Sequence, residues 1–260
     1  MDRIVFLMYH ELELPGRALC QSAPDYTRYI LKARNFRAQL AWLKDAGWRG
    51  FSVSTALDFP AQPGVAITFD DGCETDLITV APLLKEFEFE ATFYVTSGFV
   101  GTPGYLSPQQ LQELSRLGFE IGCHSMTHAY LSDLSESALH REIMQAKEHL
   151  EQILSKPIGH FSCPGALCRF DSALIETAQR AGYRTLATSR RHANSRRTPR
   201  FELGRVAIMR DTAINTFERI CRGEGLRRLQ LIDLMRTGAK WMLGNSSYDT
   251  FRTIFLGRNK

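Results

Sequence analysis

Short apolar runs rich in β-forming residues alternate along the chain with segments whose apolar positions recur at helical spacing. Over residues 35–46 the apolar positions Phe36, Leu40 and Leu43 line one helical face. Gly47-Trp48 ends that face, and Phe51-Ser52-Val53 reads as a strand. Residues 108–117 repeat the pattern before Gly118-Phe119-Glu120-Ile121, and residues 171–181 repeat it before Gly182-Tyr183-Arg184-Thr185-Leu186. In each case a glycine able to adopt left-handed backbone closes a helix, and an aromatic residue opens the next strand. Ile4–Tyr9, Gly64–Ile67, Ala91–Thr96, Gly159–Cys163 and Val206–Met209 supply further strands, and residues 136–154 read as one long helix. Strands alternating with helices predict a parallel sheet, and their number suits a barrel better than an open sheet.

A chain of 260 residues, 44% of them hydrophobic, is long enough for one large α/β domain. No segment approaches the roughly 20 apolar residues that cross a bilayer. The run Ile4–Tyr9 is too short for a signal sequence and ends in His10-Glu11, so it reads as the first strand of a cytoplasmic protein. Six cysteines without a CxxC pair argue for reduced thiols acting as small packing residues. Charge is uneven. The first 180 residues carry 15 basic against 22 acidic side chains, the last 80 carry 17 against 6.

Chemistry concentrates where strands end. Gly64-Val65-Ala66-Ile67 runs into Thr68-Phe69-Asp70-Asp71-Gly72, an apolar strand terminating in two carboxylates. Asp-Gly is also a hairpin signal. Alternation along a strand points Asp70 and Asp71 in different directions, which leaves room for two jobs, one metal ligand and one general base. After the strand at Phe119–Cys123 comes His124-Ser125-Met126-Thr127-His128. Residues four apart lie above one another on a helical turn, so the two imidazoles can face one ion. With His10 at the end of the first strand, all these groups are expected on the C-terminal rim of the sheet, where parallel α/β folds place reactive residues.

Together, Thr68-Phe69-Asp70-Asp71-Gly72 and His124-Ser125-Met126-Thr127-His128 resemble the first two motifs of the polysaccharide deacetylase family, also called NodB-homology or carbohydrate esterase family 4. Met8-Tyr9-His10 is similar to the start of many members, and the resemblance spans roughly residues 4–211. It implies a distorted (β/α) barrel, a divalent metal (zinc first, with cobalt, nickel or manganese as alternatives), and hydrolysis of N-acetyl or related acyl groups on sugars. Carried over residue by residue, Asp71, His124 and His128 become metal ligands and Asp70 the general base.

Two motifs depart from the family pattern. Where members usually read Arg-Pro-Pro-Tyr-Gly, this chain has Ser162-Cys163-Pro164-Gly165-Ala166. The resemblance gives Pro164 and Gly165 the oxyanion role, and Arg169 is the candidate to replace the missing arginine. Where members commonly read Leu-x-His, this chain has Ile208-Met209-Arg210-Asp211. Arginine stays protonated and is a poor acid, so His10 or His192 is expected to protonate the leaving group, with Arg210 free to hold an anionic substrate or to form a salt bridge.

Residues 189–200 read as a polar, basic loop over the strand ends, and residues 226–243 as an amphipathic basic helix. The expected organisation is a deacetylase-like domain over residues 1–211 and a basic helical extension over 212–260, packed on the barrel or touching an anionic inner membrane surface. The expected activity is removal of an acyl group, N-acetyl first, from a saccharide or lipid-linked sugar precursor. O-deacetylation on the same site and carbohydrate binding without catalysis are the alternatives. Nucleic acid is not an expected partner.

Overall fold

The computed structural model describes residues 2–165, 172–226 and 228–231. Among these, eight strands form one sheet in which every pairing is parallel. Its order is Thr185–Ala187, His160–Ser162, Glu120–Cys123, Thr92–Val95, Gly64–Asp71, Phe6–Tyr9, Val206–Ala207. The eighth strand, Arg49–Phe51, pairs with the first half of Gly64–Asp71, on the edge whose second half takes Thr92–Val95. The sheet curls into a half-barrel. A parallel bridge from Ala187 to Leu203, just ahead of Val206–Ala207, links the two ends, in keeping with the distorted barrel expected.

The three repeats fall close to their expected positions. Helices Ala33–Asp45, Pro108–Arg116 and Ser172–Arg180 lead into strands Arg49–Phe51, Glu120–Cys123 and Thr185–Ala187. Gly47, Gly118 and Gly182 all have positive φ, between 71° and 91°, as a left-handed helix terminus requires. The long helix does form over residues 136–154, but its middle turn, Arg141–Gln145, is π-helical.

Alternation sorts the central strand. Val65, Ile67 and Phe69 pack against the helices, while Ala66 joins Phe6, Phe51 and Tyr94 in a smaller cluster on the concave side. Thr68 and Asp70 follow Ala66 at the same parity, which carries Asp70 to the concave face.

The basic loop is less free than its composition suggests, because Asn194–Ser195 pairs antiparallel with Arg3–Ile4. Helix Ile214–Cys221 lies on helix Ala33–Asp45, with Phe217 edge-on to Trp42 at 5.8 Å. Of the basic helix expected from residue 226, Leu226 is buried in the core; residue 227 and residues 232–260 lie outside the described residues. No helix among the described residues is long and apolar enough to cross a membrane.

Candidate active site

At the C-terminal rim of the sheet is a cavity of about 370 Å³. Asp70, Asp71, His10, His124, His128 and Gly165 all line it, so the expected convergence holds for these residues.

Asp71 arrives by an unexpected route. Alternation alone would turn it towards the helices, but its φ of +80° rotates it back into the cavity. Such a backbone is uncommon for a residue with a side chain and costs on the order of 1–3 kcal/mol, a strain typical of functional positions. Gly72 continues the turn at φ +81°, and a Cβ there would stand 2.9 Å from Val95 Cγ1.

The two histidines are also placed differently from the expected helical turn. Residues 124–128 form a loop, with Ser125 and His128 at positive φ. Glu142, buried on the π-helical turn, holds this loop by accepting from the backbone N–H groups of Met126 (3.0 Å) and Thr127 (2.8 Å) and from the Thr127 hydroxyl (2.6 Å). The Ser125 hydroxyl accepts from His128 N–H at 3.0 Å. Four-residue spacing therefore brings the rings within 5.1 Å through a braced loop.

His124 Nδ1 lies 2.9 Å from the Ser162 carbonyl, which can only accept, so Nδ1 carries the proton and Nε2 turns a lone pair to the cavity. Nε2 stands 3.8 Å from Asp71 Oδ1, and His128 Nε2 stands 3.5 Å from the same oxygen. One donor atom from each of Asp71, His124 and His128 lies within 4.8 Å of the others. Asp71 Oδ1 is buried without a hydrogen-bond partner. Burial lowers the His124 pKa to about 4, with Asp70 acting in the opposite sense, so the ring is neutral near pH 7. Two imidazoles and an unpartnered carboxylate oxygen at these separations fit a divalent ion with ligand bonds of roughly 2.0–2.2 Å.

Asp70 is held differently. Arg205, fully buried, donates Nη1–H to Asp70 Oδ1 at 2.6 Å and Nη2–H to Oδ2 at 2.8 Å. Its remaining N–H groups go to Thr68 Oγ1 (3.2 Å), Ser162 Oγ (2.6 Å) and the Thr188 carbonyl (3.2 Å). All five guanidinium donors are thus used. Burial alone would raise the Asp70 pKa, but the charge and hydrogen bonds of Arg205, together with His124 and His10, outweigh it and hold the carboxyl well below the ordinary range.

Arg205 gives Asp70 a guanidinium partner although position 162 carries no arginine. Ser162 is short enough to leave space for it and accepts one of its hydrogen bonds. Sequence reasoning missed Arg205 because it precedes Val206, far from either motif, and only its position before a strand of the same sheet marks it. Arg169, the candidate replacement, lies outside the described residues.

Other expectations need correction. Arg210 does not line the cavity; it donates to Glu13 at 2.8 Å and to the Ile30 carbonyl at 3.2 Å, the salt-bridge alternative. His192 sits against Gly204, 2.6 Å from where a Cβ there would be, and borders a different surface pocket. Gly165, at φ +81°, reaches the cavity where a side chain would meet Tyr130 at 2.7 Å, whereas the adjacent Pro164 is not part of the lining. Cys163, expected as a reduced thiol, is disulfide-bonded, while Cys20, Cys73, Cys123 and Cys221 are free.

The family model described as polysaccharide deacetylase matches residues 60–186, which include both acidic and histidine motifs. Over that stretch, just under half of the chain, the sequence is similar to the polysaccharide deacetylase family. It is 37% identical over 126 residues to the peptidoglycan-N-acetylglucosamine deacetylase of Bacillus cereus, covering 48% of this chain and 56% of that protein. It is 24% identical over 170 residues to a poly-beta-1,6-N-acetyl-D-glucosamine N-deacetylase of Staphylococcus aureus, covering 58% of each. The chain therefore spans little more than half the length of both relatives. Among solved structures, the Streptococcus pyogenes deacetylase PplD superposes with a TM-score of 0.73 at 23% identity, over 84% of this chain and 98% of that one. That likeness shows the shared fold.

Proposed function

We propose that the chain is a metal-dependent hydrolase that removes an N-acetyl group from an amino-sugar-containing saccharide. The observation that carries this reading is the division between the two adjacent carboxylates. Asp71 leaves an oxygen unpartnered beside two histidines, and Asp70 is saturated by Arg205.

Asp71, His124 and His128 would hold the cation. A divalent ion there supplies Lewis acidity to the acyl carbonyl and to the attacking water. Asp70, ionised and fixed by Arg205, accepts the proton that the water loses as its oxygen bonds to the carbonyl carbon. Gly165 N–H, on the turn that enters the cavity, donates to the oxygen that gains negative charge. His10, the remaining imidazole of the lining, protonates the amine as the C–N bond breaks, releasing acetate and the free amino sugar. Its Nδ1 is buried without a partner. The names of the relatives support a polymer of N-acetylglucosamine as the substrate class, and a saccharide precursor, lipid-linked or soluble, has the same reacting group.

One observation favours O-deacetylation as a second reading. Burial lowers the His10 pKa, although Asp71 and Asp70 pull it up, and an ester oxygen needs a proton less than an amine does. Acetate release from N-acetylated and O-acetylated sugars distinguishes the two. With an amide substrate, His10→Ala should lose about 10²-fold in rate, and with an ester much less. Equal losses would remove His10 from the proton-donor role. No acetate from any substrate by metal-loaded protein would contradict the hydrolase reading.

A further inference from the structure

Beside the cavity lies a second group of metal-binding side chains that the deacetylase reading does not use. Glu11 and Cys73 are fully buried, Cys20 is half-buried, and one donor atom from each lies within 4.8 Å of the others. The three come from distant points of the chain: the residue after His10, the loop that follows Leu12–Glu13, and the turn just beyond Asp71. Both thiols are free.

The carboxylates of this region are incompletely satisfied. Glu11 Oε2 accepts from Cys20 N–H at 2.9 Å, but Oε1 is buried without a partner. Asp76 is fully buried and neither of its oxygens has a hydrogen bond; burial, with Asp71, Cys20 and Glu11 nearby, pushes its carboxyl well above the ordinary range. A nearby cation, Arg17, donates instead to Glu74 at 2.6 Å and to the Gly104 carbonyl at 3.3 Å. Buried carboxylate oxygens without partners are costly, and native proteins satisfy them with donors or cations. A Cys20–Cys73 disulfide would occupy the two sulfurs and leave Glu11 and Asp76 as they are.

We propose that Glu11, Cys20 and Cys73 form a second cation site, for a thiophilic divalent ion of the zinc class, separate from the Asp71–His124–His128 group. Two thiolates and a carboxylate suit such an ion, with Zn–S near 2.3 Å and Zn–O near 2.0–2.2 Å in ordinary sites. Binding exchanges the two thiol protons for the ion and releases them to solvent. The ion would also fix a wall of the cavity. Cys20 begins the segment from which Gln21, Asp25, Tyr26 and Tyr29 face the cavity, and the Tyr26 hydroxyl lies 3.6 Å from Cys73 Sγ. A cation tying Cys20 to Cys73 therefore anchors this wall to the turn after Asp71.

Cobalt(II) serves as the probe, because thiolate ligation gives it an intense near-ultraviolet charge-transfer band that histidine and carboxylate ligands do not. The full chain loaded with Co²⁺ should hold two ions and show the band. Cys73→Ser should lose the band and one ion, whereas His128→Ala should lose one ion and keep the band. Cys20→Ser provides an independent variant if Cys73→Ser does not fold. The wild-type spectrum is decisive without either variant. One cobalt per chain with no thiolate band overturns the proposal, as does peptide mapping that finds Cys20 and Cys73 joined in a disulfide in the metal-loaded protein. Failure of the deacetylase reading would appear in the acetate assay and leave the band unaffected.

Discussion

The two ends of the parallel sheet each hold an acidic residue beside an imidazole, and they complete these groups in opposite ways. At the N-terminal end, Glu120 opens one strand and His160 opens the next, 3.2 Å apart. Glu120 also accepts from the Thr92 hydroxyl and from the backbone N–H groups of Val53 (3.1 Å) and Ser54 (3.3 Å). His160 places its ring nitrogens 2.9 Å from the Thr185 and Ser54 hydroxyls. Neither side chain leaves a buried polar atom without a partner. At the C-terminal end, Asp71 and His10 each leave one. Closed polar networks join strands and stabilise; open ones keep their lone pairs for something else. The difference separates structural from reactive groups more sharply than residue type does, since both ends offer a carboxylate and a histidine.

Within the reactive end the same contrast is repeated one residue apart, because Asp70 is closed by Arg205 and Asp71 is open. Arg205→Met tests this most severely. It leaves Asp70 buried without its countercharge, and the expected cost is about 3–5 kcal/mol in urea unfolding. Asp70→Asn in the same background should recover much of the loss. If Arg205→Met alone were neutral, the ion pair would not be what stabilises this end.

At the other end the expected effect is somewhat smaller and falls on stability alone. Hydrogen bonds from His160, Ser54 and Thr92, opposed by burial, hold the Glu120 pKa at about 2 against an ordinary 4.5. A depressed carboxylate contributes stability that is complete above its unfolded pKa and is lost as pH falls through its folded pKa. The window here runs from about pH 4.5 down to about 2, and the contribution is on the order of 3 kcal/mol. Glu120→Gln should therefore lower stability at pH 7 and show a shallower loss on acidification, with acetate release per folded molecule unchanged. A fall in specific activity at full folding would mean the two ends are coupled.

The smallest effect is expected for Arg210→Ala. Its pair with Glu13 is about one-third exposed on both sides, and such pairs are worth about 0–1 kcal/mol. KM for the saccharide should not change. A large rise in KM would return Arg210 to the substrate site.

Much of this arrangement was legible in the sequence because it is local. The Gly-aromatic boundaries located three helix–strand units, and the apolar run into Asp70-Asp71 located the central strand and its reactive end. What could not be read was set by neighbours distant in the chain. Arg205 reaches Asp70 only because Val206–Ala207 pairs beside Phe6–Tyr9, which in turn pairs beside Gly64–Asp71. The loop at His124–His128 takes its shape from Glu142, whose carboxylate replaces the hydrogen bonds of a helical turn. Asp71 escapes strict alternation through one backbone angle, which no pattern of residue types encodes. The pairing of Cys20 with Cys73 and Glu11 depends on a loop folding back across the strand ends, and the absence of a CxxC spacing concealed it.

The most direct test of the central claim, that adjacent carboxylates divide metal holding from proton transfer, is to measure metal content and acetate release on the same preparation of Asp70→Asn. The account predicts cation at the wild-type level at the Asp71–His124–His128 group, together with a rate of acetate release lowered by about 10²–10⁴-fold. Loss of that cation from the variant, or acetate release close to wild type with the cation in place, would contradict it.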